Sequence, residues 1–128
     1  MQDPLYREII LDNWQNPQNF GIVKKPDFDV SEVNTTCGDK IRLTGKIKDG
    51  KLVEVMFTGD GCAISKASSS LFTEQLKNMP LTKIKKLTKE DVLKNLSVKI
   101  SPARHNCALL CYKALQKGIS ESYLKPNR

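Results

Sequence analysis

The chain has 128 residues, 39% of them hydrophobic and 6% aromatic, and 21 Lys and Arg against 14 Asp and Glu leave it a formal net charge of +7. That length is enough for one domain, residues 1–128, with a core that needs no cross-links. No apolar run approaches the ~18 residues of a membrane helix, and Met1-Gln2-Asp3-Pro4 lacks the parts of a secretory signal, so a cytoplasmic protein with no membrane partner is expected. In that compartment four cysteines read as ligands or redox groups rather than disulfides. The basic residues are scattered, and their densest run, Lys83, Lys85, Lys86 and Lys89, falls on the wet face of an amphipathic helix. Aromatics do not interleave with them, so the basic residues read as a solvated face, open to docking an acidic protein partner, rather than as a nucleic-acid platform.

In chain order, Asp3-Pro4 opens a helix whose face is Leu5, Tyr6, Ile9, Ile10, Asn13 and Trp14, and Asn16-Pro17 stops it. Residues 22–34 read as extended, with Pro26 arguing against a central strand. Ile41, Leu43, Gly45 and Ile47 alternate with polar residues, and Asp49-Gly50 turns the chain into Leu52 to Phe57, a hairpin in which Ile47 faces Leu52. Gly59 to Gly61 is then a turn into a helix carrying Ala67, Leu71, Phe72 and Leu76 up to Pro80. Thr88 to Asp91 caps a short helix. Ser101-Pro102 opens a last one with Ala103, Cys107, Leu110, Ala114 and Leu115 on one face, Gly118 as its end and a loose tail from Ser120. Strands first and helices after give an α+β protein, a small antiparallel sheet packed against several helices.

The hairpin brings its two far ends together, and each end carries a thiol beside glycine. Cys37-Gly38-Asp39 precedes the first strand, and Cys62 follows the second at the mouth of a helix, where the helix dipole suits a thiolate. Cys107 would come from the start of the final helix. Three sulfurs and a carboxylate from three segments could form a four-ligand shell suited to zinc or iron–sulfur chemistry. The spacings match no C-x₂-C module, however, and each cysteine has the alternative of being a small buried apolar residue. On spacing alone that alternative is favoured for Cys107 and for Cys111, one helical turn on, and disfavoured for Cys37 and Cys62.

Asn16-Pro17-Gln18-Asn19-Phe20-Gly21, Cys37-Gly38-Asp39, Gly61-Cys62-Ala63-Ile64-Ser65 with Ala67-Ser68-Ser69-Ser70, and Ala103-Arg104 followed by Cys107-Ala108-Leu109-Leu110 together resemble the IscU/NifU/SufU family of iron–sulfur cluster assembly scaffolds, and most of all its SufU branch. The resemblance spans nearly the whole chain and implies a SufE/IscU-like α+β fold with a surface metal site. It places the ligands at Cys37, Asp39, Cys62 and Cys107, with Cys107 as the candidate sulfur acceptor. In SufU-like members the site holds Zn²⁺ and the protein takes persulfide sulfur from a pyridoxal-phosphate cysteine desulfurase. In IscU-like members the same cysteines build a [2Fe–2S] cluster and pass it to downstream acceptor proteins.

Two departures stand out. Where IscU-type proteins have histidine before the last cysteine this chain has Asn106, and its single histidine is His105, about 100° away around a helix. The interval from Cys62 to Cys107 is also too short for the extra segment usual in SufU-type chains. Three further readings compete. They are a structural zinc-binding interaction domain without sulfur transfer, a Cys107–His105 nucleophilic enzyme and a basic nucleic-acid binder. The ligand set itself favours exchange, since an Asp is a harder partner than a fourth thiolate, and Lys40, Lys66 and Arg104 lie near enough in sequence to balance the charge of the site.

Overall fold

A computed structural model describes the backbone of residues 4–35, 38–96 and 102–124, and the side chains of 8–35, 38–94 and 105–120. Helix α1 (Pro4–Gln15) leads into strands β1 (Phe28–Asn34), β2 (Asp39–Lys48) and β3 (Lys51–Asp60). Helix α2 (Ala63–Leu76), the short strand β4 (Met79–Pro80) and helices α3 (Leu81–Ile84), α4 (Lys89–Leu96), α5 (Pro102–Ala108) and α6 (Leu110–Leu124) follow. The described strands form one antiparallel sheet in the order β1-β2-β3-β4.

The hairpin is the one the alternation predicts. Ile47 faces Leu52, and at the far end Lys40 faces Asp60. Its turn needs left-handed backbone at both central positions, which Asp49 and Gly50 adopt with φ of 53° and 74°. β1 takes the edge beyond Pro26 and is tied to β2 by Arg42, whose guanidinium donates to both carboxylate oxygens of Asp29 at 2.8 and 2.6 Å. That pairing holds the Asp29 carboxyl below the usual carboxylate range.

One face of the sheet carries Phe28, Val30, Leu43, Leu52, Val55 and Phe57 into a core closed by Phe72 and Leu76 of α2 and Leu110, Ala114 and Leu115 of α6. Gly118 does not end α6, which runs on to Leu124 through the residues expected to be loose. A Cβ at Gly118 would lie 2.5 Å from Cδ1 of Phe28, and one at Gly45 would collide with the opposite edge of the same ring. The two glycines are therefore spacers around one buried phenyl group.

Three other expectations need correction. The last helix is two, broken at Leu109 next to the Ala108 carbonyl that accepts from Ser68 of α2, and the side chains from Cys107 to Tyr112 are all buried rather than lying along one stripe. Trp14 is 40% exposed, while Ile10 and Asn13 form the buried side of α1. α2 stops at Leu76, where the chain turns back so that Met79 and Pro80 pair with Leu52 and Lys51. The Thr88 cap forms as read, Thr88 Oγ1 accepting from the Asp91 amide at 3.3 Å while Asp91 Oδ2 accepts from the Thr88 amide at 2.8 Å. Asp3, the expected cap of α1, lies outside the described residues.

Candidate metal centre

β2 starts at Asp39 and β3 ends at Asp60, so the open end of the hairpin sets Asp39 against the turn that enters α2. Cys62 occupies the N-cap position of α2 with extended backbone, its side chain making no capping bond. Asp39 serves that helix mouth instead, its Oδ1 accepting from the Cys62 amide at 3.0 Å. Its other oxygen, Oδ2, lies 3.8 Å from Cys62 Sγ. Gly61 makes this approach possible, since a Cβ there would meet Asp39 Oδ1 at 3.3 Å and Ser65 Oγ at 3.2 Å.

Cys107 completes the group. An oxygen of Asp39, Cys62 Sγ and Cys107 Sγ all lie within 4.8 Å of one another. Cys107 arrives in the last turn of α5 and not at a helix start, since α6 begins only at Leu110. Its thiol is buried, 1% exposed, whereas Cys62 is half-buried. The centre is thus open on the Cys62 side and closed on the Cys107 side, less exposed than a surface site.

Two contacts that sequence reasoning missed hold Cys107 there. Asn34, the last residue of β1, donates from Nδ2 to Cys107 Sγ at 3.6 Å. Ser68 of α2 donates from Oγ to the carbonyl of Ala108 at 2.6 Å. The run of serines after Cys62 was the available signal, because small hydroxyl residues on a helix that should be apolar imply buried hydrogen bonds to neighbouring segments.

Cys37 lies outside the described residues. His105 does not belong to the cluster of ligand atoms among the described residues. Cys111 packs in the core, where burial pushes its thiol up to about 12, and it is not in the cluster of ligand atoms among the described residues. Of the cations expected to balance the site, Lys66 has its ammonium over the Phe20 ring, 5.0 Å from the centroid, and Lys40 is exposed. The side chain of Arg104 is outside the described residues.

The donor set fits a metal. Asp39 is 3% exposed, and among the described residues its carboxylate has no salt-bridge partner. A buried carboxylate beside two thiols calls for a cation. Two soft sulfurs and one oxygen suit Zn²⁺ or iron, whose bonds of about 2.0–2.3 Å these atoms can reach with small shifts. On that chemistry this is a metal-handling α+β protein.

More narrowly, the chain belongs to the family of the NifU-like N terminal domain, whose family model matches residues 5–128. It is 36% identical to the zinc-dependent sulfurtransferase SufU of Bacillus subtilis (strain 168), over 93% of this chain and 92% of that one. It is 30% identical to the iron-sulfur cluster assembly enzyme IscU of Drosophila melanogaster, over 97% and 82%. Among solved structures, a candidate cluster-assembly scaffold of the SUF system from Fervidobacterium islandicum AW-1 superposes with a TM-score of 0.74 at 26% identity, covering 88% of this chain and 94% of that one. The N-terminal NifU-like protein of Brucella abortus shares the fold, with a TM-score of 0.79 at 19% identity over 94% and 95% of the two chains. No helix among the described residues is long and apolar enough to cross a membrane.

Proposed function

We propose that this protein is an iron–sulfur cluster assembly protein of the cytoplasm that binds metal through Cys37, Asp39, Cys62 and Cys107 and accepts persulfide sulfur from a cysteine desulfurase. It relays that sulfur or builds a [2Fe–2S] cluster for downstream acceptors. The observation that carries this reading is the meeting of Asp39, Cys62 and Cys107 within 4.8 Å from three distant segments. Bound Zn²⁺ would keep the thiols deprotonated and shielded. The chain is a partner of an enzyme rather than the source of the sulfur. The Cys107 thiolate attacks the outer sulfur of the desulfurase persulfide, a new S–S bond forms on Cys107, the donor S–S bond breaks and the desulfurase thiolate leaves, with no net oxidation.

The test is anaerobic incubation with iron, cysteine and a cysteine desulfurase. A cluster chromophore marks assembly, faster desulfurase turnover with zinc retained marks a sulfur relay, and neither result ends the proposal. The near-complete burial of Cys107 favours one second reading, a closed structural zinc site on an interaction domain. Such a protein would hold zinc against mild chelators and take up no sulfur.

A further inference from the structure

Cys62 and Cys107 carry the same functional group in different surroundings. Cys62 Sγ faces an oxygen of Asp39 at 3.8 Å, while Cys107 Sγ receives the side-chain amide of Asn34 at 3.6 Å. Asn34 is 8% exposed, although an asparagine closing an edge strand is ordinarily left in water. Its backbone is engaged as well. The carbonyl of Asn34 accepts from the Gly38 amide at 2.7 Å, and Asn34 stands opposite Asp39 in the β1–β2 register. One residue thus ties the entry of β2, where Asp39 sits, to a sulfur 73 positions further along the chain.

We propose that Asn34 is a positioning residue of the metal centre, its amide aiming the Cys107 sulfur at Asp39 and Cys62 and sharing that thiolate's negative charge. A thiolate carried in from the core by a short helix needs a donor on its non-metal side, and the amide supplies one without competing for the ion. Alanine at this position removes that donor from the sulfur. The inference rests on the metal-binding reading given above.

The experiment compares full-length wild type and Asn34→Ala for zinc affinity, by competition with a chromophoric chelator, and for thermal unfolding of the metal-free protein. The expected result is zinc binding about 10- to 100-fold weaker in a folded variant. A purely structural asparagine would lower the unfolding temperature and leave the affinity within about twofold of wild type, and that result overturns the inference. A second measurement needs no variant. In ¹⁵N-labelled wild type loaded with ¹¹³Cd, the Asn34 Nδ2 protons should couple to the metal through Cys107 Sγ. Absence of that coupling also overturns the inference, and its presence decides the matter if Asn34→Ala does not fold. Wild type that binds neither metal ends the metal reading and this inference with it, whereas wild type and variant that bind alike end the inference alone.

Discussion

Replacing Ser68 by alanine separates the work of α2 as core from its work at the centre. The Ser68 hydroxyl is buried, 1% exposed, and donates at 2.6 Å to the carbonyl of Ala108, 40 residues away and itself fully buried. Ala108 closes α5, where the last carbonyls have no partner within the helix. Removal of the hydroxyl strands that carbonyl, at about 1–3 kcal/mol. With roughly 3–5 °C per kcal/mol for a chain of this size, the unfolding temperature should fall by ~3–15 °C. Because Cys107 precedes Ala108, zinc affinity should fall too. Ser70→Ala is the control, since Ser70 donates to Asn13 Oδ1 at 2.6 Å and accepts from the Gln18 amide at 2.7 Å, neither of them on α5. Circular dichroism melts of the metal-free proteins and chelator competition give the two numbers for each variant. Ser70→Ala should lose stability and keep its zinc affinity. The reasoning fails if Ser68→Ala unfolds within about 0.5 kcal/mol of wild type, or if both variants weaken zinc alike.

Gly118→Ala drives a methyl group into the Phe28 ring, already backed by Gly45, and should cost about 1–3 kcal/mol in urea unfolding; an unchanged midpoint would show that the ring has room to move. Asp39→Asn keeps an acceptor for the Cys62 amide but removes the charge, so apo-protein stability should hold within about 1 kcal/mol while zinc affinity drops by at least about tenfold. Burial raises the Cys111 thiol from 9.0 to about 12, so the folded state keeps a proton that the unfolded state loses between those values. Stability contributed by the neutral thiol is complete below pH 9 and declines as pH rises from there, with a slope of up to about 1.4 kcal/mol per pH unit. Cys111→Ala should flatten the alkaline limb of a stability profile, and parallel limbs would contradict the burial argument. Mapping labelled sulfur after desulfurase turnover should find Cys107 modified in wild type and no label moving to Cys111 in Cys107→Ser.

The hairpin was legible because a period-2 pattern and Asp49-Gly50 fix its register locally, and register alone put Asp39 beside the turn that holds Cys62. Cys62 was legible for a similar reason, a helix entrance marked by Gly59 and Gly61 just before it. The position of Cys107 was not legible in the residues themselves. Its apolar neighbours describe a buried helix equally well wherever that helix docks, and only the resemblance to a known family put it among the ligands. Its burial and the break at Leu109 depend on contacts with β1 and α2, which no local pattern encodes. The same holds for Lys66, close to Cys62 in sequence but drawn to the Phe20 ring, because the turn at Asn16 to Gly21 folds back onto β3.

The three candidate ligands that the structure describes are therefore held by unequal means, and this bears on how the centre could exchange what it carries. Asp39 is fixed at the start of β2, paired with Asn34 of β1 and followed by Lys40, which pairs with Asp60 of β3, and Cys62 by unbroken chain from β3 into a 14-residue helix. Cys107 rides on a seven-residue helix, and bonds from two side chains reach its position, Asn34 on the sulfur and Ser68 on the next carbonyl. Either bond can open without disturbing a strand pair or a backbone bond of α2. If one thiolate leaves the metal to meet an incoming persulfide, the structure makes it cheapest for Cys107 to do so. That movement would also bring the buried sulfur outward, which resolves the apparent conflict between its 1% exposure and a role as acceptor. The zinc-affinity losses expected of Asn34→Ala and Ser68→Ala measure the two restraints on that step, and equal losses from a substitution elsewhere on the sheet would show that Cys107 is held by the fold as a whole.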